Sequence, residues 1–140
     1  MKKFVTISSV KTKTLSLIEK HSEELKDIDF VVAIHRGGMI PASLIASKLD
    51  KLCLVMYQTN DKQFVFYMHN IMEGKKVLLV DDICRTGKTM FAAVLCLKQF
   101  TAGENIKVLT VFDVTSIDKT VHPQITHKTI EDIQLPWDYE

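Results

Sequence analysis

One stretch near the middle of the chain, residues 77–89, constrains the fold more than any other. It reads Val-Leu-Leu-Val-Asp-Asp-Ile-Cys-Arg-Thr-Gly-Lys-Thr. The first four residues are apolar and partly β-branched, as in a strand that is buried on both faces of a parallel sheet. Asp81 and Asp82 come next, and the turn from Arg85 to Gly87 leads into a predicted helix that begins at Lys88. A strand, turn and helix in this order predict a ligand crevice at the carboxyl end of the strand.

The turn and the acid pair each suit a different ligand group. Backbone N–H groups of the turn and of the first helical residues suit a phosphate, whereas the two carboxylates suit sugar hydroxyls or a metal ion held by oxygen. A buried strand that merely ends in a solvated acidic turn would show the same pattern. A Walker A loop is excluded by its spacing, because that motif needs a glycine five residues before Gly87, where this chain has Asp82.

Strands and helices alternate along the rest of the chain, which favours an α/β fold with a mainly parallel sheet. The pattern predicts buried strands at residues 30–34, 52–56 and 106–112, a weaker strand at 64–67 and a short edge strand at 4–7. It predicts helices over about 10–25, up to about 49, and over about 88–100, followed by irregular structure in the last 28 residues. The length of 140 residues predicts a single domain, 1–140.

The composition gives no reason to expect nucleic acid or a membrane as the main partner. The 18 basic and 17 acidic residues leave a net charge of +1, so no strong field favours a polyanion. No segment approaches the roughly 18 apolar residues of a membrane span, and the first residues lack a signal-peptide pattern. The three cysteines, Cys53, Cys84 and Cys96, show no zinc-ligand spacing. Reduced thiols and a cytoplasmic location are expected.

A second junction between a strand and a loop carries an arginine and two adjacent glycines. Arg36, Gly37 and Gly38 follow the predicted strand at 30–34. Adjacent glycines let the backbone approach a ligand closely, and arginine offers a fork of donors to phosphate oxygens. Alone, this motif also fits an ordinary turn with a surface arginine. Together, the two loops suit a ligand that carries two anionic groups.

Residues 77–89 resemble the 5-phosphoribosyl 1-pyrophosphate (PRPP) signature of the type I phosphoribosyltransferases, and residues 35–41 resemble the glycine loop of the bacterial xanthine-guanine (6-oxopurine) branch. The resemblance implies a five-stranded, mainly parallel sheet flanked by helices, with a small C-terminal hood formed mainly by residues 113–140. It implies Mg²⁺-dependent transfer of 5-phosphoribose from PRPP to a purine base in purine salvage, with xanthine, guanine or hypoxanthine as the base. Members of the family are commonly dimers or tetramers, so we expect a homo-oligomer.

The resemblance also assigns roles to individual residues at the central motif. Asp81 and Asp82 would contact the ribose hydroxyls directly or through Mg²⁺, with Asp82 as the metal ligand. The backbone and hydroxyls of residues 85–89 would wrap the 5′-phosphate. The phosphate-binding residues in this turn would be Thr86, Gly87, Lys88 and Thr89.

The glycine loop and a predicted mobile loop would complete the PRPP site. The residues that the resemblance assigns to pyrophosphate are Arg36, Gly37, Gly38 and Lys62. A cis peptide bond is implied between His35 and Arg36. Residues 57–70 would form the loop that closes over PRPP and excludes water, with Lys62 at its tip. A solvated hairpin is the alternative interpretation of this segment.

The C-terminal residues resemble the hood of the xanthine-guanine branch, in which an apolar residue is followed three positions later by Pro-Trp-Asp. By this match Ile133 would stack on the base, and the carbonyl groups of Asp132 and Ile133 would lie near its exocyclic group. Trp137 would be a packing anchor.

Arg85 is the main departure from the family pattern, because 6-oxopurine enzymes usually carry an aspartate there that handles the proton at the purine N7. Arginine cannot accept a proton in a protein, although it can donate hydrogen bonds or stabilise an anion. Arg85 is therefore either a catalytic residue that favours a base such as deprotonated xanthine, or a residue that faces phosphate or solvent. The hood lysine expected near Val114 is also absent, and Lys119 is a candidate to replace it.

This departure keeps two alternatives open. One is a non-catalytic module that senses PRPP or a nucleotide on the same fold. The other is a phosphoribosyltransferase for another nucleobase, which the purine-type hood makes less favourable.

Overall fold

The computed structural model describes residues 2–138. Its strands are β1 Lys2–Phe4, β2 Phe30–His35, β3 Leu52–Gln58, β4 Phe64–Val65, β5 Val77–Cys84, β6 Ile106–Val114, β7 Ile125–Thr129 and β8 Asp132–Gln134. Its α-helices are α1 Ile7–Lys20, α2 Ser22–Leu25, α3 Met39–Leu49 and α4 Lys88–Leu97. Short 3₁₀ turns span His69–Ile71 and Gly103–Asn105.

The central sheet has six strands in the order β4-β3-β2-β5-β6-β7. Neighbouring strands from β3 to β7 pair in parallel, and only the two-residue β4 runs antiparallel, against β3. The predicted α/β fold with five mainly parallel core strands is therefore confirmed, and the weaker strand predicted at 64–67 is the short antiparallel edge β4. A separate two-stranded parallel sheet joins β1 to β8, so the two ends of the described chain meet.

Side chains of β5 alternate between two apolar layers, which explains why the strand is apolar throughout. Leu78 and Val80 pack in the cluster that contains α1 and α3 residues. Val77 and Leu79 pack in the cluster that contains α4 residues. All four side chains are fully buried, and full burial of such a side chain contributes about 1.5–3 kcal/mol.

The N-terminal prediction was misplaced by several residues. The first strand spans Lys2–Phe4 rather than residues 4–7, and α1 begins at Ile7. The Thr6 hydroxyl accepts the Ser9 N–H at 3.0 Å and so caps the helix earlier than the serines would. The helix ends at Lys20 rather than near residue 25, where a separate turn, α2, follows.

Two further differences come from strand pairing over long sequence distances. Strand β5 continues through both acids to Cys84, because β6 extends beyond its apolar run and pairs with it as far as Asp113. The C-terminal residues are only partly irregular: β7 joins β6, and β8 joins β1. Among residues 2–138, no helix combines the length and the apolar character that a membrane crossing requires.

Candidate active site

A cavity of about 360 Å³ opens at the end of β5 and is lined by residues 81–90. It includes both acids, the β5–α4 turn and the start of α4. Sequence reasoning had placed all of these on one crevice, and the structure brings them together. The predicted ligand roles of these residues stay predictions.

The β5–α4 turn is held in its shape by glycine and by backbone contacts. Gly87 has a φ of +84°, which favours glycine, and a β-carbon there would lie 2.6 Å from the Val121 carbonyl oxygen. The Thr120 N–H donates to the Thr86 carbonyl at 2.7 Å. The side chains of Thr86, Lys88 and Thr89 are exposed at the N-terminus of α4. Exposed donors at a helix N-terminus fit a phosphate.

The two acids have different surroundings. Asp82 is 7% exposed, and its Oδ1 accepts the Ile83 N–H at 2.7 Å. The Asp81 Oδ1 accepts the Asp82 N–H at 2.9 Å. Desolvation, followed by the charge of Asp82, raises the pKa of Asp81 well above its ordinary value. A raised carboxylate pKa in a cleft is typical of a functional site.

The glycine loop lies directly against the acid pair. A β-carbon at Gly37 would overlap the Asp82 carboxylate, at 2.6 Å from Cγ, and one at Gly38 would overlap the Val80 carbonyl. The expected cis peptide between His35 and Arg36 is present. Arg36 itself is exposed. The two loops therefore meet because both glycines permit an approach that a side chain would block.

Lys62 lies at the exposed tip of the β3–β4 hairpin, where its φ is +68°. Its carbonyl accepts a hydrogen bond from Gln58 Nε2 at 3.1 Å. The segment forms a hairpin in this structure, and its closure over PRPP stays a prediction. Lys62 is not among the residues that line the cavity at the end of β5, and its contact with pyrophosphate stays a prediction.

Arg85 binds the hood rather than pointing only to solvent. Its Nε lies 2.9 Å from Asp132 Oδ1, and its Nη2 donates to the Ile133 carbonyl at 3.0 Å. Partial burial opposes ionisation of Asp132, but the hydrogen bonds from Arg85 and from the Ile133 N–H outweigh it and lower the pKa of Asp132. Arg85 also lines the cavity at the end of β5.

Ile133 lies in an apolar cluster instead of on the cavity wall. Its side chain is 2% exposed. The other buried members of this cluster are Val5, Val10, Val111, Phe112 and Leu135. Stacking of Ile133 on a base stays a prediction that would require the hood to shift from this arrangement. Trp137 packs against the same cluster, as expected of a packing anchor.

Lys119 has a structural role that the sequence did not reveal. Its Nζ lies 3.0 Å from Asp113 Oδ1, and both side chains are 3% exposed. The same ammonium donates to the carbonyl groups of Cys84, Arg85 and Val114. These contacts hold the Lys119 ammonium beneath the β5–α4 turn. In this structure Lys119 therefore does not take the place of the missing hood lysine.

A buried thiol lies beside this ion pair. Desolvation raises the pKa of Cys84 to about 11. Cys84 is 3% exposed, so it is a packing residue that is not suited to act as a thiolate nucleophile.

The residues present fit Mg²⁺ in the manner that Mg²⁺ usually binds. Among residues 2–138 there is no group of three or more His, Cys, Asp or Glu side chains that would form a complete metal cage. Mg²⁺ commonly takes one or two carboxylates and fills its remaining positions with water and substrate phosphates. Asp81 and Asp82, beside the glycine loop and the β5–α4 turn, offer that arrangement.

The sequence resembles known proteins along most of its length. A bacterial relative, the xanthine-guanine phosphoribosyltransferase of Chromohalobacter salexigens, is 41% identical over 70 residues, which cover 46% of this chain and 43% of that protein. A "Bifunctional protein PyrR" from Microcystis aeruginosa is 24% identical over 135 residues, which cover 85% of this chain and 76% of that protein.

A solved structure and a protein family that resemble this chain agree with the fold and site described above. The crystal structure of a purine phosphoribosyltransferase from Pyrococcus horikoshii superposes with a TM-score of 0.82 at 25% identity, covering 99% of this chain and 95% of that one. Residues 6–140 match the family described as phosphoribosyl transferase domain. This protein therefore belongs to the phosphoribosyl transferase domain family.

Proposed function

We propose that this protein transfers 5-phosphoribose from PRPP to a purine base, giving a nucleoside 5′-monophosphate and pyrophosphate for purine salvage. The observation that carries the proposal is the packing of Gly37 against the Asp82 carboxylate. This packing sets the glycine loop and the β5–α4 turn on either side of one acid pair. A ribose with a phosphate at one end and a pyrophosphate at the other matches this order of groups.

Catalysis would come from orientation and charge stabilisation, because the reaction needs no protein nucleophile. Thr86, Lys88 and Thr89 would hold the 5′-phosphate at the start of α4, and Arg36 with its glycine loop would bind the departing pyrophosphate. Mg²⁺ would supply positive charge to the pyrophosphate when it is bound. The acids would fix the ribose between these two anchors.

Arg85 supports a preference for a base that presents acceptor atoms or negative charge. The two acceptors at the hood edge, the Asp132 carboxylate and the Ile133 carbonyl, already bind Arg85. An exocyclic amine on the base would compete with Arg85 for those acceptors. A guanidinium has five N–H donors, so Arg85 retains donors for an oxo group or an anionic ring. Xanthine fits this description better than guanine.

Release of pyrophosphate from PRPP and Mg²⁺ with a panel of bases tests the proposal. The panel contains xanthine, guanine, hypoxanthine, adenine, orotate and uracil. Release with a purine, and most rapidly with xanthine, is the expected result. Release only with a pyrimidine would refute the purine assignment, and no release with any base would refute the transferase.

Assembly as a dimer or tetramer and a cytoplasmic location are further proposals. Light scattering tests the assembly, and cell fractionation tests the location.

A non-catalytic sensor of PRPP or a nucleotide is the second candidate. Two observations favour it: Arg85 replaces the usual proton acceptor, and a relative that matches 85% of this chain is described as bifunctional. Tight binding of PRPP without pyrophosphate release from any base would support the sensor over the enzyme.

A further inference from the structure

The only tryptophan of the chain makes a polar contact that packing alone would not require. The Trp137 indole Nε1 donates to Asp82 Oδ2 at 2.8 Å. The two residues are far apart in sequence and belong to different parts of the fold, the end of the hood and the end of β5. The contact therefore joins the C-terminal residues directly to the acid pair.

Asp82 is held from three sides by this arrangement. Its Oδ1 accepts the N–H of Ile83 at 2.7 Å, its Oδ2 accepts the indole of Trp137, and Gly37 packs against the carboxylate. With 7% of the residue exposed, the carboxylate has little freedom to rotate. A carboxylate oxygen can accept more than one hydrogen bond, so each oxygen keeps an electron pair for a ligand.

Trp137 is itself well anchored and can hold Asp82 in place. Its ring packs against the apolar cluster that contains Leu135. The Asp138 N–H donates to the Leu135 carbonyl at 3.1 Å, and the Asp138 Oδ2 accepts the Leu135 N–H at 3.2 Å. These two hydrogen bonds fix the backbone on both sides of Pro136 and Trp137. The turn therefore holds the indole N–H toward Asp82.

We infer that Trp137 is a positioning residue: its indole N–H fixes the Asp82 carboxylate in the orientation that receives the ribose and metal, and it couples the hood to the acid pair. Trp137 acts through Asp82, and it is not among the residues that line the cavity at the end of β5. An N–H donor to a carboxylate stabilises one orientation of the charged group. The ligand part of this inference rests on the proposed function, whereas the contact itself can be tested without any ligand.

The contact can be tested by NMR, because one tryptophan gives one indole N–H cross-peak. In ¹⁵N-labelled protein without ligand, Asp82→Asn should move this cross-peak upfield and speed its exchange with water. Asp81→Asn, which changes the neighbouring acid, serves as the matched control and should move the cross-peak less. An unmoved cross-peak in the Asp82 variant, or equal shifts in both variants, would overturn the contact.

The positioning role is tested by calorimetric titration with Mg²⁺ and PRPP. Trp137→Phe keeps an aromatic ring and removes the donor, so the affinity should fall about 10-fold, as expected for the loss of a hydrogen bond to a charged group. Leu135→Val loosens the same cluster while keeping the indole, so it should lower the Tm but leave the affinity within about 2-fold of the wild type.

Equal affinities in wild type and Trp137→Phe, or an equal loss in Leu135→Val, would overturn the positioning role. If the wild type bound no PRPP, the proposed function and the ligand part of the inference would both fail. The NMR comparison would still decide whether the hood and the acid pair are joined.

Discussion

Gly37 packs so closely against Asp82 that a β-carbon on the glycine would lie 2.6 Å from the Asp82 Cγ. At this contact the glycine loop meets the acid pair, and no room is left for a side chain on the glycine. The Oδ2 atom of the same carboxylate accepts the indole N–H of Trp137. Three separate parts of the chain thus converge on one acid.

Gly37→Ala should impair the site more than the fold. The added methyl group would push the Asp82 carboxylate or the glycine loop out of place, and a displacement of about 1 Å can cost on the order of 100-fold in kcat/KM. Steady-state kinetics with PRPP measures this loss. Gly103→Ala is the matched control, because its methyl group would meet only the flexible end of Lys98, at 2.8 Å from Cε. A Gly37 variant with wild-type kinetics would contradict the close packing.

Arg85→Asp should change the preference among bases. It removes the donors that favour xanthine and restores a proton acceptor, so the ratio of kcat/KM for hypoxanthine over xanthine should rise about 10-fold, the effect of one charged hydrogen bond. Steady-state rates on xanthine, hypoxanthine and guanine measure the ratio. Arg85→Lys keeps the charge without the fork and serves as the control, which should retain the preference for xanthine. An unchanged ratio in Arg85→Asp would show that Arg85 does not select the base.

Arg85→Asp also carries a stability cost that should be modest. The side chains of Arg85 and Asp132 are 36% and 27% exposed, so solvent screens much of their interaction, and we expect a loss of about 1 kcal/mol. Urea denaturation measures it, and it determines whether the kinetic comparison uses fully folded protein.

Lys119→Met should destabilise the protein strongly. It leaves the Asp113 carboxylate buried without its partner, and breaking such a pair from one side costs about 3–5 kcal/mol. The double variant with Asp113→Leu removes both charges and should recover most of the loss. Free energies of unfolding in urea test this pair of expectations. A double variant as unstable as Lys119→Met alone would mean that the carbonyl contacts under the turn matter more than the buried charge.

Asp81→Asn should raise the thermal stability of the metal-free protein at neutral pH. The pKa of Asp81 is raised above its ordinary value of 3.8, so above that pH the folded protein binds more protons than the unfolded chain. Stability contributed by protonated Asp81 is complete below this value and is lost as the pH rises toward the folded-state pKa. The amide has no charge to desolvate and escapes this loss.

The difference in Tm between Asp81→Asn and wild type should therefore grow as the pH rises from acid to neutral. Thermal melts in a chelating buffer across this range measure it. Asp118→Asn, at an exposed position, is the control and should show little change. A difference that is independent of pH would contradict the raised pKa of Asp81.

Local chemistry explains which features could be predicted from the sequence. The apolar run at Val77–Val80 predicts a strand buried on both faces, and Gly87 predicts a turn that the structure builds at a φ of +84°. The adjacent glycines after β2 predict a close backbone approach to a ligand, which stays a prediction; the structure shows that they approach Asp82 and Val80 of the chain itself. Each of these predictions depends on residue types and on their spacing over a few positions. Both can be read directly from the sequence.

Contacts between distant residues were decided only by the tertiary structure. No local sequence pattern predicts three of these contacts. They are the ion pair of Lys119 with Asp113, the hydrogen bond from Trp137 to Asp82, and the hydrogen bond from Arg85 to Asp132. The strands at 125–129 and 132–134 were missed for the same reason, since their hydrogen-bond partners are β6 and β1. Propensity and periodicity describe the neighbourhood of a residue along the chain, whereas burial, pairing and charge compensation depend on which surfaces the completed fold brings together.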